Sequence, residues 1–310
     1  MGKYILKRIG FGILTVFIII TATFFLVRAV PGDPMAAGAK NLSEEAKAAF
    51  KHKYGLDKPV MEQYGIYMKN LITKGDLGDS MVYKERSVNK MIKDYAPTSG
   101  KIGGIAVSIQ VVVGVLLGIL AAFNRGKIID KCISVLVVLL VCIPGFVFGA
   151  LLQYIFAVKL QMVPVMGWGK PIHYFLPVLA MAIGGIASYS KFTRNSTLGV
   201  IGQDYIVTAK AKGVSKSALI IKHVLRNSMI PIVTMLGPSI LGIFGGSFVI
   251  ERMFAIPGLG SYYVTAVNSN DYSMIVGLTI FISSLYVLSL ILVDISYGLI
   301  DPRIRVSGSK

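Results

Sequence analysis

The organisation of this chain depends on one basic segment, DYIVTAKAKGVSKSALIIKHVLRNSMIP, at residues 204–231. Its five Lys and Arg residues accompany a single acid, Asp204, so the segment is too charged to cross a bilayer. Long hydrophobic runs flank it on both sides. The segment is therefore expected to lie outside the membrane, between two membrane spans.

Most of this segment has the pattern of two short helices joined by a bend, which we call the elbow (residues 204–225). Ile206 and Ala209 fall on one face of the first helix. Gly213 interrupts the pattern, because glycine adopts left-handed backbone angles without strain. Ser215 is placed to cap the second helix. Apolar residues then recur at helical spacing, at Ala218, Ile221 and Leu225, with Ile220 and Val224 beside them.

Two interpretations of the elbow follow from this pattern. A basic loop between membrane helices is commonly no more than a topology signal that marks the cytoplasmic side. A loop that only marked topology would not need a regular apolar face, however. That face favours the second interpretation, in which the elbow is a docking surface for a soluble partner.

The composition indicates a polytopic membrane protein. The 310 residues are 54% hydrophobic and 15% charged, with a mean hydropathy of +0.69. The charged residues that give the net charge of +17 cluster between apolar runs, so we attribute this charge to membrane topology. No nucleic-acid-binding motif accompanies it. Cys132 and Cys142 fall in one apolar run and are interpreted as packing residues.

The first predicted unit is an N-terminal transmembrane helix over residues 1–28. Its apolar run from Ile9 to Val27 exceeds a signal-peptide core of about 7–15 residues, so we favour a retained helix over a cleaved signal. Lys3, Lys7 and Arg8 precede the run and place the N-terminus in the cytoplasm.

Residues 29–99 are polar and nearly neutral, which predicts a small external (periplasmic or extracellular) insert. Asn41 and Glu44 have the spacing of a capping box before a helix that ends near Gly55. Asp57 and Pro59 begin a second helical pattern that Gly75 ends. The alternative is a partly ordered loop, but the capping signals favour a folded insert.

Residues 100–310 predict a five-helix transmembrane core with a cytoplasmic loop at 190–228, which makes about six spans and places both termini in the cytoplasm. Sixteen Lys and Arg residues fall on the predicted inner side and three in the short outer loops. The predicted spans of the core are Ile102–Phe123, Ile133–Val158, Phe175–Tyr189, Met229–Ile250 and Met274–Leu299.

Glycines four residues apart predict close helix packing in lipid. The pairs are Gly114 with Gly118, Gly145 with Gly149, and Gly242 with Gly246. Pro144 with Gly145 predicts a kink in the third span, and Gly237 with Pro238 predicts one in the fifth. Such kinks either line a pathway or are structural, and the pattern does not decide between these roles.

Catalytic and metal-binding motifs are absent from the sequence. It has no phosphate-binding P-loop, no HExxH, no paired-cysteine motif and no nucleophile elbow, so no catalytic or metal residue is assigned. The predicted spans two to five hold no acidic residue, which argues against an ion-coupled carrier. Asp294 in the sixth span is either an interfacial carboxylate, which we favour, or a transport residue.

The chain resembles the inner-membrane permease subunits of ATP-binding-cassette importers, above all the first permease of the oligopeptide, dipeptide and nickel group. The elbow is similar to the segment of this family that is called the EAA loop. Ala209, Gly213 and Leu225 match the residue types of that motif, whereas Val207, His223 and Arg226 differ from it. Further similar stretches are RAVPGDP (28–34), GDLGDS (75–80), ERMFAIPGLG (251–260), NSNDYS (268–273) and DPRIR (301–305).

The resemblance implies an all-α permease of the type I importer fold, with a second homologous permease, two ATPase subunits and an external binding protein as partners. ATP and Mg would be bound by the ATPases and no cofactor by this chain. The implied coupling residues are Ala209, Gly213, Ser215 and Leu225. The residues expected at the pathway or in the external loop are Pro144, Gly145, Glu251, Phe254, Pro257, Gly258, Gly260 and Asp294.

Three functions remain to be compared. The first is an importer permease in the cell membrane, with peptide as the cargo that the similarity favours and a nickel chelate as the alternative. The second is a stand-alone channel or secondary carrier, which should show intramembrane charges and inverted repeats. The third is a membrane scaffold whose basic loop binds anionic lipid or a signalling protein.

Overall fold

A computed structural model of the protein describes residues 2–30, 43–215, 218–245 and 247–300. Their regular structure is helical, apart from one isolated bridge between Asp79 and Ser87, which confirms the predicted all-α class. The helices are α1 (Gly2–Ala29), α2 (Glu44–Lys53), α3 (Val60–Lys74), α4 (Val88–Phe123), α5 (Ile128–Cys142), α6 (Gly145–Leu152), α7 (Ile172–Ile201), α8 (Asp204–Ala211), α9 (Arg226–Gly245), α10 (Phe248–Met253), α11 (Leu259–Asn268) and α12 (Tyr272–Ile300), with π-helical stretches at Gln153–Lys159 and Leu219–Leu225.

Among the described residues, five helical spans are long and apolar enough to cross a membrane, namely α1, α4, α7, α9 continued by α10, and α12. The predicted third span is instead a bent pair, α5 and α6 with its π-helical extension, whose two arms meet at 100°. The described residues therefore hold six spans if this pair crosses as one broken span.

Pro144 causes the break in the third span. Ile143 and Pro144 both have extended backbone, with ψ of 118° and 137°, because proline disfavours the helical region for the residue before it. The helix restarts at Gly145, which turns the predicted kink into a sharp corner. By contrast, α9 continues through Gly237 and Pro238 without a break.

Glycines bring α4 and α7 into close contact. A Cβ on Gly114 would lie 2.5 Å from the Tyr189 Cβ, and one on Gly118 would lie 2.6 Å from the Ser190 carbonyl oxygen. Larger residues at these two positions would push the helices apart. The first predicted glycine pair therefore joins α4 to α7.

The other two predicted glycine pairs differ from the first. A Cβ on Gly149 would lie 2.4 Å from the Met253 Cε of α10, so this position also permits close packing, whereas Gly145 has more room. In the third pair, a Cβ on Gly242 would meet nothing within 4 Å, and Gly246 lies outside the described residues.

The insert contains the two predicted helices, with one correction. Ser43, not Asn41, caps α2, because the Ser43 hydroxyl accepts a bond from the Ala46 N–H at 3.3 Å. Asn41 itself lies outside the described residues. Helix α3 follows Pro59 and ends at Gly75, whose φ of +62° is left-handed, as the sequence predicts.

Helix α4 begins well before the predicted end of the insert at residue 99. Ser87 caps it by accepting a bond from the Lys90 N–H, and the helix then runs without interruption through Pro97 to Phe123. Residues 88–99 therefore belong to the same helix as the following span and connect the insert rigidly to the bundle.

A buried carboxylate, Asp271, docks the insert onto the start of α12. It is fully buried and accepts bonds from the Ser80 hydroxyl, from the Met81 N–H at 3.1 Å, from the Val82 N–H at 3.3 Å, and from the Met274 N–H of α12 at 3.1 Å. One side chain thus caps α12 and holds a loop almost 200 residues earlier in the chain.

Tyr54 secures the same loop from the other side. Its hydroxyl donates to the Ser80 carbonyl oxygen at 2.8 Å. Burial raises the pKa of this phenol, and the nearby carboxylates of Asp79 and Asp271 raise it further. The hydroxyl therefore stays protonated and remains a donor.

We expect Asp271→Ala to lower the free energy of unfolding by about 2–4 kcal/mol, because several buried donors lose their acceptor together. The measurement is the melting temperature of the detergent-solubilised protein. Asp94→Ala, at an exposed site on α4, is the matched control and should leave it nearly unchanged. Equal melting temperatures for the two variants would contradict the role given to Asp271.

Candidate functional site

The elbow consists of α8, a bend at Gly213 and the π-helical stretch Leu219–Leu225. Gly213 has a φ of +76°, the left-handed conformation that the sequence predicts. A Cβ at this position would meet nothing within 4 Å, so glycine is required by the backbone angle and not by space. The Ser215 hydroxyl accepts a bond from the Ala218 N–H at 3.4 Å, in the predicted capping position.

The apolar face of the elbow packs against the protein itself. Ile206, Ala209, Leu219 and Val224 form one buried cluster. The last residue of α4 and the last turn of α7 pack against that cluster, through Phe123, Val200 and Ile201. The elbow is therefore attached to the ends of the two most closely packed membrane helices.

The buried residues in the second part of the elbow differ from those that the predicted α-helical spacing indicates. Leu225 is only half-buried, whereas Leu219 and Val224 are buried. The physical reason is the π-helical geometry, which brings residues five apart onto one face, so the buried positions differ from those of an α-helix.

The surface that the elbow offers to an outside partner is the opposite face. Tyr205 and Val207 are 43% and 59% exposed, and Thr208, Lys212 and Gly213 are exposed beside them. The apolar face that suggested docking is thus internal, and the Ala209 side chain packs within the chain. The assignment of the four elbow residues to coupling stays a prediction.

A cleft of about 390 Å³ lies between α4, α6, α7, α9 and α10. Glycines form much of its wall, at Gly103, Gly145, Gly184, Gly185 and Gly242. None of the described side chains around it is ionisable, and its volume falls within the range of small-molecule sites. Gly145, a predicted pathway residue, lies in this wall, whereas Pro144 forms the corner beside it.

Two polar groups face the cleft. The Gln110 side chain covers Gly185, where a Cβ would lie 2.1 Å from the amide carbon, and its amide nitrogen donates to the Met181 carbonyl oxygen at 3.0 Å. The Ser239 hydroxyl hydrogen-bonds the Tyr189 hydroxyl at 2.9 Å. The wall therefore combines exposed backbone with neutral polar groups.

Glu251 anchors the segment beside the cleft. Its carboxylate is buried and accepts bonds from the Ser99 hydroxyl at 2.6 Å, the Ser247 hydroxyl at 2.7 Å and the Gly260 N–H at 2.9 Å. A Cβ on Gly258 would lie 2.4 Å from this carboxylate. The two predicted glycines are therefore needed because the backbone closes around Glu251.

The predicted external loop at 251–260 is folded against the bundle. Phe254 is buried, and its carbonyl oxygen accepts a bond from the Gly167 N–H at 3.2 Å. Pro257 is exposed between the buried residues Ile256 and Gly258. This packing leaves Arg252, Ala255 and Pro257 as the exposed positions of the segment.

Asp294 pairs with a residue of the first span. Its carboxylate lies 3.1 Å from the Arg8 Nε, so α1 and α12 are joined by an ion pair. Tyr297, one turn further along α12, hydrogen-bonds Thr234 of α9. Asp301, which the sequence predicts on the same helical face as Asp294 and Tyr297, lies outside the described residues. This pairing agrees with the interfacial interpretation of Asp294.

Metal ligands do not cluster in the described part of the chain. It contains no group of three or more His, Cys, Asp or Glu residues that could hold a metal ion, and both cysteines are exposed and free.

Comparison with known proteins gives the family. Residues 114–306 match the model of the binding-protein-dependent transport system inner membrane component, and residues 1–98 match the N-terminal model of the same systems. The chain belongs to this permease family. The dipeptide transport permease DppB of Bacillus subtilis is 41% identical over 306 residues, which is 99% of each chain. The oligopeptide transport permease OppB of Haemophilus influenzae is 41% identical over 307 residues, 98% of this chain and 100% of that one.

A solved structure confirms the fold of the permease. The methionine ABC transporter MetNI in an inward-facing conformation contains a chain with a TM-score of 0.51 and 17% identity, covering 70% of this permease and 96% of that chain. The predicted type I importer fold is therefore confirmed, and the protein is a multi-pass membrane permease.

Sequence reasoning missed several residues of these sites. Ser99 bonds Glu251, 152 positions away, and Asp271 bonds Met81, 190 positions away, so no sequence spacing predicts either contact. Asp130 and Arg194 form a partly buried ion pair that the sequence did not suggest. A signal was present for Asp271, since an Asp directly before a long apolar helix is a common N-cap.

We expect leucine at Gly184 or Gly242 of the permease to reduce transport without unfolding the protein. A Cβ at either glycine meets nothing within 4 Å, so the larger side chain enters the cleft. The measurement is uptake by the assembled transporter in proteoliposomes, beside the melting temperature. Gly10→Leu on the exposed face of α1 is the control. Normal uptake with a filled cleft would rule out this cleft as part of the pathway.

Proposed function

We propose that this permease forms half of the translocation pathway of an ATP-driven importer for peptides. The observation that carries this proposal is the elbow, a rigid bend anchored to α4 and α7 with an exposed outer face. The similarity to permeases of dipeptide and oligopeptide transport supports peptide as the cargo. The permease of a nickel-chelate importer is the alternative within the family.

The proposed partners follow from the absence of an energy source in the sequence. The chain has no P-loop, so ATP and Mg would be bound and ATP hydrolysed by two separate ATPase subunits. A second homologous permease would complete the pathway, and an external binding protein would deliver the peptide. The permease itself is then not an enzyme and needs no cofactor of its own.

The proposed orientation places the elbow and both termini in the cytoplasm. Arg8 near the start of α1 pairs with Asp294 near the end of α12, so these two segments lie together. The basic residues concentrate on the elbow side, which agrees with the positive-inside rule. The insert docks at the start of α12, at the opposite end of that helix, and would be external.

The chemistry of the cleft fits a peptide. The side-chain amide of Gln110 can exchange hydrogen bonds with peptide groups, and the small residues leave room for varied side chains. With no ionisable side chain among the described lining residues, this wall would not select by charge. Selection would then fall to the binding protein.

The composition of the complex can be tested by a gentle pull-down of the tagged permease followed by mass spectrometry. We expect two ATPases, a second permease and a peptide-binding protein. Purified permease that moved substrate in liposomes without ATPase subunits would overturn the proposal. Capture with a chelate-binding protein would instead favour the nickel alternative.

The role of the elbow can be tested at Gly213. Valine there should strain the left-handed bend by about 1–2 kcal/mol and lower uptake while ATP hydrolysis continues. Gly213→Asn should retain more uptake, because asparagine tolerates this backbone conformation. The matched control is Gly202→Val, where φ is an ordinary −80°. Similar uptake in both valine variants would contradict the requirement for the bend.

A further inference from the structure

A partly buried ion pair, Asp130 with Arg194, joins α5 to α7 near the elbow. The Arg194 Nε donates to one oxygen of Asp130 at 2.6 Å, and Nη2 donates to the other oxygen at 2.8 Å. The Gly126 N–H adds a third bond at 3.0 Å. Asp130 is only 4% exposed. Such a bidentate contact fixes both the distance and the relative orientation of the two helices.

The position of the pair links the elbow to the cleft. Arg194 lies on α7 between Gly184 and Gly185, which line the cleft, and Ile201, where the helix ends just before the elbow. Asp130 lies in the first turn of α5. The far end of α5 is the corner at Pro144, directly before the cleft residue Gly145.

Apart from this ion pair, α5 contacts α4 and α7 through an apolar cluster. Ile133 and Val137 of α5 pack with Ala121 of α4 and Ala187 of α7. Contacts between aliphatic and small side chains are non-directional and allow helices to slide past each other. The bidentate pair supplies the directional constraint that these contacts lack.

We infer that Asp130 and Arg194 are positioning residues that carry movement of the elbow from α7 to α5, and through α5 to the cleft wall at Gly145. The inference rests on the proposed import function. It assigns the pair to the mechanical link between the place where the ATPases would push and the broken span that borders the pathway.

A role in transmitting movement must be distinguished from a role in stabilising the fold alone. Removing one partner leaves a buried charge unpaired and destabilises a protein strongly, whereas replacing both partners by apolar residues of similar size is often neutral. The informative variant is therefore the double replacement Asp130→Leu with Arg194→Met. It keeps packing but removes the directional link.

A second ion pair provides the matched control. Arg8 and Asp294 join α1 to α12 through one 3.1 Å contact, and Arg8 is 49% exposed. Neither residue lies on the elbow-bearing helix or on the broken span. The control variant is Asp294→Asn, and Arg194→Lys is an intermediate that keeps the charge but loses the bidentate fork.

The experiment uses the complete importer in proteoliposomes and measures peptide uptake per ATP hydrolysed, together with the melting temperature. We expect the double variant to melt near the wild type but to lose about tenfold in uptake per ATP, and Arg194→Lys to lose less. Asp294→Asn should keep the wild-type ratio. The ratio is the decisive quantity, because a role in stability alone would change the amount of folded protein and not the ratio.

The result that would overturn the inference is a double variant whose folded fraction transports with the wild-type ratio. Failure of the proposed function would look different. In that case the wild-type permease itself would show no ATP-dependent uptake, whatever the state of the ion pair.

Discussion

The close approach of α4 and α7 at Gly114 and Gly118 is the constraint on which the rest of the permease depends. In lipid there is little hydrophobic drive between helices, so association relies on close van der Waals contact, and glycine permits it. Because these two helices cannot separate, their ends are fixed together. Phe123 at the end of α4 and Ile201 at the end of α7 then pack together against the elbow.

Buried carboxylates supply the directional contacts that apolar helix packing lacks. Asp271 joins the insert to α12, and Glu251 joins α10 and the following turn to α4. Asp130 joins α5 to α7. Each accepts several hydrogen bonds, which offsets the large penalty of burying a charge. Together they fix the elements around the cleft at both ends of the bundle.

The elbow has a buried apolar face and an exposed outer face. Its apolar face belongs to the permease itself, since Ile206 and Ala209 close against Leu219 and Val224. Its outer face carries Tyr205, Val207 and Lys212, which are exposed. The buried cluster connects this element directly to the ends of α4 and α7.

The sequence by itself determined the helical class, the approximate positions of the spans, the bend at Gly213, the cap at Ser215 and a kink at Pro144. These features depend on local chemistry: apolar length, the conformational freedom of glycine and the restriction that proline places on its neighbour. The family also follows from the sequence, since its motifs extend over nearly the whole chain.

Only the tertiary structure decided which residues meet. Glu251, Asp271 and Asp130 each have at least one partner that lies 64 or more positions away, and no local pattern records such pairings. The structure also reversed the interpretation of the elbow's apolar face. An amphipathic pattern shows that one face is buried but not what covers it, and here the π-helical geometry and the ends of α4 and α7 turn that face inward.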